Sequence, residues 1–182
     1  ALRDTVAMLP TNDAVLAETL RQVPSVIARA ALVDADAQET VIGAGQTPVS
    51  IVGASPLPYL RSFPKELANI SEIEAAARGR GYANDTRDSD GVVRVMPLMI
   101  AVGGAPAPAL ALEILRVAAG EKQYSVRSDR SGVLGVQIGN SFIETDRDAR
   151  LRLYFSPAYA ERRISTAAPL KGEVKPEALA HE

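Results

Sequence analysis

Residues 79–117 read GRGYANDTRDSDGVVRVMPLMIAVGGAPAPALALEILRV. Gly79 to Tyr82 predicts a short strand. An acidic turn follows at Asp88-Ser89-Asp90-Gly91, where Gly supplies positive φ and the Asp side chains bond nearby amides. From Val92 to Val102 even and odd positions are both apolar, apart from Arg94, which predicts a long strand covered on both faces. Pro97 has no N–H and predicts a bulge within it. Gly103-Gly104 breaks the strand, and Pro108 suits the first position of a helix. In that helix Leu110, Ile114 and Val117 share one face, widened by Leu112 and Leu115. Glu113 and Arg116 then form an i,i+3 pair on the outside. Gly120 is the stop signal.

Upstream, Thr11-Asn12-Asp13 caps a short amphipathic helix through Leu20, which ends before Pro24. Ser25 to Val33 predicts a strand closed by Asp34 and Asp36. Val41-Ile42 and Val49 to Val52 are candidates to pair as short strands around Gly43, Gly45 and Pro48. Pro56, Pro58 and Pro64 make the next segment irregular, and Ser71-Glu72-Ile73-Glu74 has the capping-box pattern of a helix that ends at Gly79. Downstream, Tyr124 to Val126 predicts a strand and Asp129 to Gly132 a turn. Gly139-Asn140 joins Val133–Ile138 and Ser141–Glu144 as a two-residue hairpin loop. Leu151 to Phe155 reads as a strand, and Ile164 to Leu170 as a strand end entering a short helix. Helix-then-strand units early and hairpins late predict an α/β or α+β domain, with a mixed β-sheet and helices packed on its faces.

The composition bounds the function. A chain of 182 residues, 47% hydrophobic and 23% charged, supports one domain with a real core. A net charge of −2 and 4% aromatics with no Trp give no footprint for nucleic acid. Cys is absent, so disulfides and thiol chemistry are excluded. Val95 to Leu112 carries no charge over 18 residues, the lower bound for a membrane span. Three prolines and Gly103-Gly104 within it argue against a helix in lipid, where every backbone group needs an internal partner.

No motif points to a metal, a cofactor or catalysis. Thr86 to Gly91 resembles the start of a calcium loop, but its twelfth position is Pro97, where a bidentate Glu is needed. Gly43-Ala44-Gly45 and Gly79-Arg80-Gly81 both miss the third Gly of a dinucleotide fingerprint. Gly53-Ala54-Ser55-Pro56-Leu57 lacks the second Gly of a nucleophile elbow. The single His, His181, offers no base for a serine triad. Arg94 is the residue of most interest, because a charge in an apolar strand must reach a partner or water. An ion pair with Asp88 or Asp90 across the turn is one reading. An anchor for an anionic ligand near Asn84 is the other, with Asn84, Asp88, Asp90 and Arg94 as candidate ligand-binding residues.

These residues also carry a resemblance. Gly81-Tyr82-x-Asn84, Asp88-x-Asp90-Gly91-Val92-Val93-Arg94, Pro97-Leu98 and Pro108-x-Leu110-Ala111-Leu112 resemble the second-type CHASE domain. The family has a second Arg where Val95 stands and Ser where Ala109 stands. The order Ile138-Gly139, Ile143, Asp146-x-Asp148, Arg150-Leu151, Arg163-Ile164-Ser165 and Lys171-Gly172 extends the resemblance over most of the chain. It implies a non-catalytic, extracytoplasmic sensory domain on the periplasmic side of the bacterial inner membrane. The parent receptor would control a cytoplasmic adenylate or guanylate cyclase, histidine kinase or diguanylate cyclase. Its partners would be a small-molecule or physical stimulus, a second copy in a homodimer, and the membrane through flanking helices outside residues 1–182. The resemblance further implies a single domain whose outer strands are missing at both ends, and an incomplete sheet exposes an edge for dimerisation. Two alternatives of other classes stand beside it: a small hydrolase or transferase using paired carboxylates, and a ligand-free dimerisation module. Arg94→Ala separates the readings of that residue. Lower thermal stability marks a structural ion pair; lost ligand response in a folded protein marks a ligand anchor.

Overall fold

The computed structural model describes residues 10–33, 47–85, 90–155 and 171–172. Among them, mixed sheets and three helices form the predicted α/β or α+β fold. The first helix, α1 (Asn12–Gln22), starts where Thr11 accepts a hydrogen bond from the Ala14 amide at 3.1 Å, as its cap sequence predicts. Strand β1 (Val26–Leu32) follows. It pairs in parallel with β5 (Gly79–Tyr82) and antiparallel with β4 (Lys65–Leu67). The segment expected to be irregular thus contributes β4 and also β3 (Ser62–Phe63).

Strand β2 (Val49–Gly53) pairs in parallel with β9 (Tyr124–Asp129), and β9 continues through β10 (Gly132–Ile138) to β11 (Ser141–Glu144). Ile138 faces Ser141 across Gly139-Asn140, the predicted hairpin. The expected partner of β2, Val41-Ile42, lies outside the described residues, as do Asp34, Asp36 and Ile164 to Leu170.

The apolar run from Val92 divides where one long strand was expected. Val95–Pro97 forms β6, paired with β12 (Arg150–Arg152), and Met99–Val102 forms β7 in another sheet with β3 and β8 (Ala105–Pro108). Pro97 cannot donate to a continuous ladder, and Leu98 between the two strands gives its amide to the Ala149 carbonyl at 2.8 Å. Gly103 and Gly104 are not a break before a helix. Their φ values of 56° and 81° make the turn of the β7–β8 hairpin, with Val102 opposite Ala105, the backbone that two-residue hairpins require. Pro108 accordingly ends β8 and does not start a helix. Helix α3 (Leu110–Ala118) begins after Ala109.

The orientation of α3 corrects the sequence reading most. Ile114 and Leu115 are about half exposed, whereas Leu112 and Glu113 are fully buried and Arg116 nearly so. The apolar residues around this helix allow either face to turn inward, and the ion pair took the inner one. At α2 (Ser71–Ala76) the capping box also fails to form. Ile70 occupies the cap, and the Glu74 carboxylate turns back to the Asn69 amide at 2.9 Å and across to Arg29. From Leu151 to Phe155 only the first two residues belong to β12.

Helix α3 lies close against β5. A Cβ on Gly81 would stand 2.5 Å from the Leu110 Cα and 2.9 Å from its amide nitrogen, backbone atoms that cannot turn aside. Gly81→Ala is expected to destabilise the domain by roughly 1–3 kcal/mol, read as a lower urea midpoint at unchanged slope.

Candidate functional site

Two places carry polar chemistry: a network sealed inside the domain, and an open cleft at β12. The network begins at Glu113 on α3. Its carboxylate accepts from Arg116 Nη2 at 2.6 Å and Nε at 3.0 Å, Thr47 Oγ1 at 2.9 Å and the Arg80 amide at 3.2 Å. The Tyr124 hydroxyl donates to it as well. Burial alone would push the Glu113 carboxyl up, but donors from Arg116, Tyr124 and Thr47 outweigh it and hold the carboxyl below its ordinary value. Burial and the neighbouring carboxylate raise Tyr124, so its hydroxyl stays protonated.

Arg80 passes the network onward. Its side chain bonds Glu74 at 3.1 Å, and Glu74 pairs with the buried Arg29 at 2.6 Å. Arg29 lies 3.5 Å from the fully buried Glu66, which accepts from the Tyr82 hydroxyl. Burial opposes ionisation of Glu74, but bonds from Arg29 and Asn69 prevail and lower its pKa. Two Tyr–Glu–Arg clusters are therefore joined through β5. Glu113 and Glu74 are each met by several donors, an arrangement that locks geometry.

The cleft lies between β6–β12 and the segment before β3. It encloses about 180 Å³ and is lined by Tyr59, Leu60, Arg61, Met99, Asp148 and Arg150, among others. A wider, more open cleft of about 340 Å³ continues past Arg150 to Val95, Arg152 and Tyr154. Arg150 is held from below by Asp146 at 2.8 Å and Asp148 at 2.9 Å. The Arg61 guanidinium lies 5.2 Å from the centre of the buried Phe63 ring.

Of the residues nominated from sequence, Asp90 and Arg94 come together in a bidentate pair at 2.7 and 2.9 Å. Both are about half exposed. Arg94 precedes β6, and its carbonyl accepts from Leu153, so it stands at the end of the ladder that walls the wider cleft. The bonds from Arg94 lower the Asp90 pKa. The Asn84 side chain bonds both the amide and the carbonyl of Ala31, each at 2.8 Å, and so extends the β1–β5 pairing. Asp88 lies outside the described residues. Among the described residues no group of three His, Cys, Asp or Glu side chains is placed to hold a metal. The polar residues missed by sequence reading are Arg29, Glu66 and the two tyrosines. A signal existed for Arg29, a lone charge in an apolar strand like Arg94, and Arg29 is the one that is buried.

A comparison with protein families matches the CHASE2 domain over residues 2–181. The chain belongs to the CHASE2 family. CHASE2 domains are extracytoplasmic sensory domains associated with cyclases and kinases, and the sensor domain itself is non-catalytic. A sensory role implies a stimulus for this domain to receive. No curated protein matches the chain, and no solved structure does. No helix among the described residues is long and apolar enough to cross a membrane. The charge-free run at Val95 to Leu112 is instead β6, the β7–β8 hairpin and the start of α3 in this CHASE2 domain.

Because the folded-state pKa values of Glu113 and Glu74 are depressed, their contribution is fully present above the unfolded carboxylate value of about 4.3. It is lost as pH falls through the folded values. The urea midpoint should hold near neutrality and fall steeply below that range. Glu113→Gln should flatten that fall, and Glu113→Ala should cost about 3–5 kcal/mol at neutral pH by leaving Arg116 buried without its carboxylate.

Proposed function

We propose that this CHASE2 domain is the stimulus-sensing part of a bacterial transmembrane receptor, exposed on the periplasmic side of the inner membrane. Its output is an adenylate or guanylate cyclase, a histidine kinase or a diguanylate cyclase in the cytoplasm. The family match over residues 2–181 carries this reading. The physical support is a scaffold in which one ionic network ties α2, α3, the β4–β1–β5 sheet and β9 together, beside a cleft open to solvent. A stimulus that favours one packing of such a scaffold biases whatever is attached to it. Asp90 and Arg94, beside the wider cleft, are candidates for the receiving surface together with Asp88, and Asn84 supports the adjoining β1–β5 pair.

The receptor acts as a homodimer in this proposal. Strand β2 has β9 on one side and no strand on the other among the described residues. Its sequence Val-Ser-Ile-Val-Gly carries no charge, and Ile51 and Val52 are exposed. Edges without charge or Pro invite pairing, and a two-fold axis would pair β2 with its copy.

Two measurements test these statements. Sequencing the native gene on both sides should find apolar helices flanking residues 1–182 and a cyclase or kinase domain beyond them; an open reading frame confined to this domain would remove the receptor. Light scattering at high concentration should give a dimer that Ile51→Lys converts to monomer. A monomer at every concentration overturns dimerisation through β2.

A further inference from the structure

We propose that the 180 Å³ cleft between the segment before β3 and the β6–β12 ladder binds a small monocarboxylate with a short apolar body. The inference rests on the sensory reading above and names the chemistry of the stimulus. Among the described residues the lining contains two guanidiniums, Arg61 and Arg150, and one carboxylate, Asp148. Arg150 is already engaged through Nε by Asp146 and through Nη2 by Asp148. Arg61 has no carboxylate within ion-pairing distance among the described residues, and its contact is with the face of Phe63. A cation stacked on a buried ring is held in place without being neutralised. Arg61 therefore brings to the cleft a guanidinium with no ion-pair partner among the described residues.

The rest of the lining selects among anions. Leu60 and Met99 are buried, and Pro97 is buried too. An apolar floor beside a guanidinium suits a carboxylate head with a short hydrocarbon tail, since the planar fork binds two carboxylate oxygens and the floor removes methylenes from water. Inorganic phosphate satisfies the charge but leaves the floor unfilled. The Tyr59 hydroxyl donates to the Arg130 carbonyl, so it shapes the wall and is not the anchor.

The experiment is calorimetric or ligand-detected NMR titration of the domain with acetate, propionate and butyrate at constant ionic strength, with phosphate as the comparison anion. Binding should saturate, and affinity should rise about fourfold per added methylene. Arg61→Ala should weaken butyrate roughly fivefold while leaving the thermal melt of the unliganded domain nearly unchanged, and Arg61→Lys should fall between. Asp148→Asn removes a lining carboxylate and should tighten binding, a gain that misfolding cannot imitate. Arg127→Ala, over Phe142 on another sheet, is the control and should change nothing. Lack of saturation, equal affinity for phosphate and butyrate, or indifference to both Arg61→Ala and Asp148→Asn each overturns the proposal. Saturable binding with no change in output from an intact receptor would instead tell against the sensory reading and leave the site standing.

Discussion

A single ionised carboxylate buried under a helix dictates much of this domain. Glu113 is fully enclosed, and an uncompensated charge there would cost several kcal/mol. Its five donors come from α3 itself, from β5, from β9 and from the residue two before β2. Satisfying it therefore fixes where the helix lies on β5 and where β9 and β2 approach from the other sheet. Gly79 is part of the same constraint, because a Cβ at that position would meet the Glu113 carboxylate at 2.6 Å. Arg116, drawn in by the pair, uses its remaining donors on the carbonyls of Glu121 and Arg78, closing the end of α3 and the start of β5.

The second cluster repeats the logic with other elements. Arg29 on β1, Glu66 on β4 and Tyr82 on β5 come from three neighbouring strands, and Glu74 brings α2 to them. Buried ion pairs seldom add much net stability, because desolvation offsets most of their attraction. Their effect is on uniqueness: alternative packings would strand a charge, whereas a purely apolar interface would tolerate sliding. In the receptor proposed above, a core that resists continuous deformation is useful, since it moves as blocks.

The two surfaces proposed to receive a stimulus sit at the margins of this locked interior. The cleft at Arg150 is built where the apolar run splits at Pro97, so the residue that interrupts the ladder also opens the space beside it. Asp90 and Arg94 cap the same ladder from outside. The exposed side of α3, with Ile114 and Leu115, is a consequence of turning the ion pair inward.

Local chemistry was legible in the chain wherever one residue type answers one local demand. Thr11 caps a helix, Gly139-Asn140 turns a hairpin, Pro97 interrupts a strand, and the spaced motif from Gly81 to Leu112 announces the family. What remained hidden depended on choices with two locally equivalent answers. A helix apolar around most of its circumference does not say which side faces in, and Gly103-Gly104 serves a hairpin as well as a break. Arg29 and Arg94 both interrupt apolar runs, yet one is buried among Glu66 and Glu74 and the other meets Asp90 in water. The sequence by itself determined the cap at Thr11, the hairpin turn at Gly139-Asn140, the interruption at Pro97 and the family. Only the tertiary structure decided which charges are enclosed, because that depends on whether donors from distant segments arrive together to replace the water each charge gives up.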